Sequence, residues 1–322
     1  MQMKVLITGA AGYIGSMLSY YLIYKGYKVI GVDKLKYGGR SLLGLKNNEN
    51  YNLIVDDMGN TDSYEKYIDE ETAIINLAAI VGEPASKKFP EDTKETNVIS
   101  TKKLIDLAKE KKVKKFIFVS TCSNYGMVES GEYADENAVL KPLSLYAETK
   151  VEMEKYLINQ IKSSLNWTIL RLATVYGISP RLRFDLTVND FTMTAFKDKK
   201  LEVFLPYSNR PYVHVFDVAR AMETVLSNFE KTKSEIYNVG DTKENYQKVQ
   251  IVDEVKKLIP DLQVEFVNKG NDLRDYRVNF DKIKNELGFN ITKTVPEGVN
   301  EVYQTIKSGV VKDFDNREYY NA

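Results

Sequence analysis

Tyr146 and Lys150, in the run Tyr146-Ala147-Glu148-Thr149-Lys150, stand four residues apart and share one face of a helix. They form a candidate acid–base pair. A free phenol titrates near pH 10 and is a poor base at neutral pH, but a neighbouring ammonium and a second positive charge would favour the phenolate. Lowering the pKa by about three units takes roughly 4 kcal/mol of differential stabilisation, which two cations in a partly dry site can supply. With 22 tyrosines in the chain, a chance Tyr/Lys spacing is ordinary, so the surroundings must decide. The preceding strand ends in Phe118-Val119-Ser120-Thr121-Cys122-Ser123-Asn124-Tyr125-Gly126. Hydroxyls at Ser120 and Thr121 thus sit at the carboxyl end of a strand, where open α/β sheets bind ligands.

A second constellation lies near the start of the chain. An apolar strand, Lys4–Thr8, runs into Gly9-Ala10-Ala11-Gly12-Tyr13-Ile14-Gly15, and a helix follows. Glycines between a strand and a helix let the backbone turn sharply and bring its N–H groups to a pyrophosphate. Asp33, ending the next strand, is expected to accept hydrogen bonds from the ribose hydroxyls of an adenosine and to repel a 2′-phosphate. NAD rather than NADP is the expected cofactor. Asp57 and Met58 follow the third strand and are expected to flank the adenine. Leu77, Ala78 and Ala79 end the fourth with side chains small enough for close backbone approach.

These groups need a scaffold that brings strand ends together. Through residue 176 the chain alternates β-rich runs (4–8, 28–33, 52–55, 73–77, 115–120, 167–172) with helical stretches (13–25, 97–111, 145–160). That is the pattern of a doubly wound parallel sheet of Rossmann type. From 177 to 322 the alternation weakens, and Pro180, Arg181, Arg183, Pro206, Arg210 and Pro211 gather. This half reads as a smaller C-terminal α/β substrate-binding region, with some segments returning to the first. The basic run Lys109–Lys115 reads as a helix end, and the polar segment from Asp313 as loosely held.

Composition narrows the chemistry. Lys+Arg and Asp+Glu balance at 45 each, so no global field favours nucleic acid or acidic membranes. One cysteine (Cys122) and one histidine (His214) leave no disulfide framework, no His-based triad and no thiolate or histidine metal cluster. The apolar stretch Val5–Tyr24 resembles a signal peptide, but regularly spaced glycines interrupt it. No other stretch has the length and apolarity of a membrane span, so the expected location is the cytoplasm.

Taken together, Gly9/Gly12/Gly15, Asp33, the Ser120–Gly126 stretch and Tyr146/Lys150 resemble the extended short-chain dehydrogenase/reductases, over nearly the whole chain. The resemblance makes Thr121, Tyr146 and Lys150 the catalytic set, and adds Ser120, Tyr146 and Lys150 to the cofactor contacts. Arg210-Pro211-Tyr212-Val213-His214-Val215-Phe216-Asp217 is similar to the family segment whose arginine contacts a substrate diphosphate. Asp272-Leu273-Arg274-Asp275-Tyr276 resembles a later segment that supplies a second phosphate-binding arginine. By the same resemblance Asn189 and Thr174 contact a nucleotide-sugar, while His214 packs structurally. Dehydratases of the family carry an Asp-Glu pair after the catalytic Thr; here Cys122 and Ser123 stand there. The epimerase-reductases acting at carbons 3 or 5 carry a cysteine where Ser123 stands. What the resemblance leaves is oxidation at one sugar carbon. Return of hydride to the other face makes a 4-epimerase, and release of the ketone makes a C4 dehydrogenase. The stretch Arg171–Arg181, continuing to Phe191, resembles a surface-polysaccharide branch that includes dehydrogenases of GDP-linked heptoses. UDP-galactose epimerase has Asn at the position of Thr174, which points away from UDP-glucose itself. The implied partners are a GDP- or UDP-linked sugar and a second copy in a homodimer. That dimer would pair the Tyr146 helix and helix 97–111 with their symmetry mates, through residues such as Val151, Met153, Tyr156 and Leu157. A regulatory NAD-sensing protein on the same fold would commonly lack the Tyr/Lys pair that is present here.

Overall fold

A computed structural model describes residues 3–129, 131–270 and 274–321. Twelve strands run through them: β1 (Lys4–Thr8), β2 (Lys28–Asp33), β3 (Tyr51–Val55), β4 (Thr72–Asn76), β5 (Lys115–Thr121), β6 (Trp167–Leu172), β7 (Thr174–Tyr176), β8 (Lys200–Phe204), β9 (Asn209–His214), β10 (Glu235–Val239), β11 (Asn245–Gln247) and β12 (Gln263–Val267). Seven of these form one sheet in the order β10-β6-β5-β4-β1-β2-β3, with every neighbouring pair parallel. The strands are near-continuous apolar runs, as a sheet covered on both faces requires. Successive side chains serve opposite layers: Val5, Ile7 and Ile75 pack with Leu18, Leu22 and Met222, whereas Leu6 and Ile74 pack with Leu104, Ile105 and Met153. This is the expected Rossmann-type architecture. The order reverses between β1 and β4, which opens a crevice at the carboxyl ends of the strands.

The chain beyond Tyr176 is threaded through this body. β10 completes the large sheet beside β6. Helix Val215–Ser227 covers helix Tyr13–Tyr24, with Phe216 edge-on to Tyr21 at 5.4 Å. The remaining strands form a small sheet β11-β9-β7 and a pair β12-β8. Helices Thr187–Asp198, Lys248–Leu258 and Val295–Lys307 pack around them on Phe191, Ala195, Val203, Ile251, Val255 and Val299.

Three expectations need correction. The lysine run 109–115 is not one helix end: the helix stops at Glu110, while Lys115 is fully buried in β5. The Lys115 ammonium donates to Asn166 Oδ1 and to the carbonyls of Phe229 and Thr232. The segment from Asp313 is not loose. Phe184 N–H donates to the Tyr319 carbonyl, and the Phe184 ring is edge-on to Phe314 and Tyr319. The helix expected at 97–111 begins earlier, at Pro90, and passes through a wide π-helical turn, Glu95–Ser100, before Thr101–Glu110.

Candidate active site

A cleft of about 690 Å³ opens at the carboxyl ends of β1, β2, β4 and β5. Its walls bring together Gly9, Gly12, Tyr13, Ile14, Gly15, Asp33, Asp57, Met58, Leu77, Ala78 and Ala79 with Ser120, Thr121, Tyr146, Lys150, Thr174 and Arg274. Residues chosen from segments up to 265 positions apart thus meet around one space. Pockets of this size, with a few convergent polar groups, are the usual small-molecule sites.

At one end the glycine loop closes against the sheet. Gly9 has φ +73°, and a Cβ there would stand 2.9 Å from the Ala78 nitrogen; a Cβ at Gly15 would stand 2.0 Å from the Gly9 oxygen. Only bare backbone fits at Gly9 and Gly15, which lets the loop pack closely as it enters helix Tyr13–Tyr24. The leading N–H groups of a helix lack intrahelical partners and bind anions such as a pyrophosphate. Asp33 is held by N–H donors from Leu35 to Oδ1 at 2.7 Å and from Ala11 to Oδ2 at 2.9 Å. A carboxylate has about four acceptor sites, so ribose hydroxyls can still bond to it. Burial pushes its pKa up against those two bonds and the nearby cations of Arg181 and Lys34. Asp57 pairs with Lys34 at 3.0 Å, and Met58 is buried where it meets the cleft. The residues therefore fit a dinucleotide at the place the sequence pointed to.

At the other end stands the helix Leu145–Lys155. Ser144 starts it, accepting the Ala147 N–H at its hydroxyl, a favoured N-cap arrangement. Tyr146 and Lys150 then face the cleft one turn apart, with the ammonium 5.9 Å from the phenol ring centroid. Lys150 donates to the Val119 carbonyl at 2.8 Å and lies 4.8 Å from the Phe118 ring centroid. Burial lowers its pKa to about 8, opposed by Glu154. Burial also pushes the Tyr146 phenol up to about 12, with Arg183 and Arg274 pulling down and Tyr276 adding to the rise. Desolvation thus outweighs the cations that the protein itself supplies, so the expected lowering depends on the second positive charge, that of the nicotinamide ring. Thr121 Oγ1 accepts from the Ser123 N–H at 3.1 Å and shares a 2.9 Å bond with the Ser123 hydroxyl. Cys122 is buried, its thiol against the Arg171 carbonyl, and burial pushes its pKa well up.

Ser120 touches the cleft, but its hydroxyl is directed to Glu154 Oε1 at 2.5 Å. Glu154 lies one turn beyond Lys150 and is completely enclosed. It also accepts from Asn124 Nδ2 and forms a bidentate pair with Arg171. This network braces the Thr121 loop from behind. Asn97 braces the opposite wall. Its amide exchanges two hydrogen bonds with the Ile80 backbone and donates to Thr149 Oγ1, tying the loop after β4 to the helix Leu145–Lys155. It does so from the π-helical turn, a frequent companion of functional sites.

Two expected substrate contacts are elsewhere. Asn189 is fully buried and does not line the cleft. Its side chain accepts from Gly177 N–H and donates to the carbonyls of Gly177 and Arg183, so its bonding capacity is spent on shaping the loop after β7. Arg210 is buried in β9, donates to the Asn209 carbonyl and faces the Tyr276 ring at 5.1 Å. Tyr276, not Arg210, contributes to the cleft wall. Asp272 and Leu273 lie outside the described residues. His214 is structural, as expected: Nδ1 accepts the Phe216 N–H that starts a helix, and Nε2 bonds Glu301 at 2.6 Å. The sequence reading missed Tyr37, Arg181, Arg183, Asp185, Tyr320 and Asn321, which also line the cleft. The arginine-rich stretch 181–183 was visible, but only folding brings it to Asp33 and Tyr146.

A Rossmann sheet, a glycine-lined dinucleotide crevice and a Thr/Tyr/Lys set at one cleft define a nicotinamide-dependent enzyme of the short-chain dehydrogenase/reductase type. The chain belongs to the NAD dependent epimerase/dehydratase family, whose model matches residues 5–240. It is 28% identical to Protein CapI of Staphylococcus aureus over 93% of this chain and 97% of that protein. It is also 28% identical to UDP-glucuronate 4-epimerase of Thermodesulfobacterium geofontis over 95% and 96% of the two chains. The structure of UDP-glucuronic acid 4-epimerase from Bacillus cereus, in complex with UDP-glucuronic acid and NAD, superposes with a TM-score of 0.84, at 27% identity over 95% of this chain and 99% of that one. NAD is the cofactor.

Proposed function

We propose that the chain is a nucleotide-sugar 4-epimerase working through a transient 4-keto sugar, with Thr121, Tyr146 and Lys150 as its catalytic residues. The observation that carries this reading is the set itself: these three share the cleft with the dinucleotide loop, while positions 122 and 123 hold a buried thiol and a hydroxyl bonded to Thr121. The carboxylates that dehydration needs at those two positions are replaced. Tyr146 takes the proton of the carbon-4 hydroxyl and later returns it. Thr121 accepts the Ser123 N–H at its hydroxyl oxygen, and its hydroxyl proton serves the same substrate oxygen. Lys150 holds positive charge beneath the phenol and favours its ionised form. NAD, when bound, accepts the hydride from carbon 4 and gives it back. Gly9, Gly12, Tyr13, Ile14, Gly15, Asp33, Asp57, Met58, Leu77, Ala78, Ala79 and Ser120 make the cofactor's walls. Arg274, joined by Arg183, faces the substrate diphosphate, and Thr174 faces the sugar nucleotide; guanidinium groups grip such oxygens in pairs. A UDP-linked sugar is the substrate favoured by the relatives' names, with GDP-linked sugars the second class to test. We place the enzyme in the cytoplasm as a homodimer; among the described residues no helix is long and apolar enough to cross a membrane.

The deciding experiment incubates the protein with UDP- and GDP-linked sugars, heptoses included, and follows NADH absorbance and the NMR spectrum of the sugar. Inversion at carbon 4 over many turnovers, without net NADH, is expected. Stoichiometric NADH with a released 4-keto product would replace the epimerase by a C4 dehydrogenase.

A further inference from the structure

The segment 313–321 crosses one wall of the cleft, and Asn321, only 9% exposed, gathers three contacts there. Its Oδ1 accepts from Arg181 Nη1 at 2.7 Å, its carbonyl accepts from the Tyr37 hydroxyl at 3.0 Å, and its N–H donates to Asp185 Oδ2 at 3.0 Å. The Arg181 guanidinium lies 4.2 Å from the Tyr37 ring centroid and interacts electrostatically with Asp33. Asn321 thus joins the loop after β2 to the loop after β7 at the Asp33 end of the cleft, where the adenosine half of a dinucleotide belongs.

The two sides of the segment are held differently. Toward the second region it is packed: Phe184 meets Phe314 and Tyr319 edge-on at 5.9 and 5.3 Å, the Phe184 N–H donates to the Tyr319 carbonyl, and Tyr320 donates to the Phe314 carbonyl. Toward the β2 loop it is held by the Tyr37 bond and by a largely exposed Arg40–Glu318 pair at 3.4 Å. Exposed pairs of that kind contribute little. An apolar anchor on one side and a few polar bonds on the other make a strap that can open without unpacking a core.

We propose that residues 313–321 are a strap across the dinucleotide end of the cleft, with Asn321 latching onto Tyr37 and Arg181, and that NAD enters and leaves only when this latch opens. An enzyme that oxidises and re-reduces its substrate in one visit gains from holding the reduced cofactor between the two half-reactions. The strap itself rests on the chain's NAD dependence and not on which sugar is turned over, so its test needs no substrate.

The test compares NAD association and dissociation rates, by stopped-flow fluorescence, for the unmutated protein and the double variant Tyr37→Phe/Asn321→Ala. Arg181, Asp33 and the aromatic anchor stay in place. A latch slows passage both ways, so both rates are expected to rise, dissociation by at least about tenfold, the scale of losing two hydrogen bonds, one buried and one part-buried. Faster dissociation with unchanged association would make these residues simple cofactor contacts and overturn the strap. Faster association alone would make the segment a plug, and two unchanged rates would leave it no role; each also overturns the proposal. Should the double variant fail to fold by circular dichroism, amide exchange in the unmutated protein decides. Exchange in 313–321 is expected to slow when NAD binds, and identical exchange with and without NAD would refute the strap.

Discussion

Desolvation pushes the pKa of the half-buried Tyr146 phenol up to about 12, despite Arg183 and Arg274. In the proposed mechanism, further positive charge must join Lys150 before the phenol serves as a base, which would couple proton removal to a loaded cofactor site. Tyr146→Phe should therefore cost at least about 10²-fold in turnover, the usual size of a positioned acid–base contribution. NAD content and unfolding temperature should hold, since the substitution keeps the ring and removes only the phenol oxygen. Calorimetric NAD titration beside a turnover assay checks both, and near-normal turnover would remove Tyr146 from the mechanism. This pair was legible because helical period alone sets the Tyr146–Lys150 distance. The desolvation of the phenol was not, because it depends on how much of the fold covers the ring. Arg210 and Asn189 show the same limit. Their residue types suit a phosphate, but β9 and the Gly177–Arg183 loop bury them, and no local pattern announces that.

At the scale of elements, apolar runs bounded by glycine or charge located the strands closely: β1, β2 and β6 occupy the residues expected of them. Short polar runs misled. Lys109–Lys115 looked like a single helix end, yet its last lysine belongs to β5 and sits against the turn before β10. Burial pushes the Lys115 ammonium down to about 7, with Glu230 and Glu235 opposing and Lys233 adding. Lysine in an unfolded chain titrates near pH 10.4. Between those two values the unfolded chain binds a proton that the folded chain lacks, so this group makes stability rise with pH across the window. Below pH 7 both states carry the proton and the gain is absent. Urea unfolding at pH 7 and pH 9.5 should show that rise in the unmutated protein and a smaller one in Lys115→Met. Equal rises in the two proteins would mean that Lys115 titrates as an ordinary surface lysine.

The whole molecule sets which faces remain for a partner. Helices Thr101–Glu110 and Leu145–Lys155 lie side by side, joined by Lys102–Glu152 at 2.8 Å and by Tyr156 to Asp106 at 3.0 Å. Val151, Met153 and Leu157, expected to meet a second copy, are buried within the chain instead, because the same helix must also cover the sheet. The sequence shows that a helix is apolar on more than one side, but not which side its own chain claims. At the ends of this pair, the π-helical turn Glu95–Ser100 carries Ile99, 46% exposed, and a second π-helical turn, Tyr156–Ile161, carries Ile158, 38% exposed. The contacts 102–152 and 106–156 run in one direction, so Ile99 and Ile158 stand toward opposite ends of the pair. A two-fold axis across that face would bring one copy's Ile99 toward the other's Ile158, the self-complementary geometry of an isologous dimer. Replacing both, Ile99→Glu with Ile158→Glu, would set like charges facing each other across the axis. The unmutated protein is expected to sediment as a dimer at micromolar concentration, and the double variant as a monomer that still binds NAD, because the cleft lies at the strand ends and not on this face. A monomer mass for the unmutated protein would refute the dimer, and a double variant that stays dimeric would move the interface to another surface.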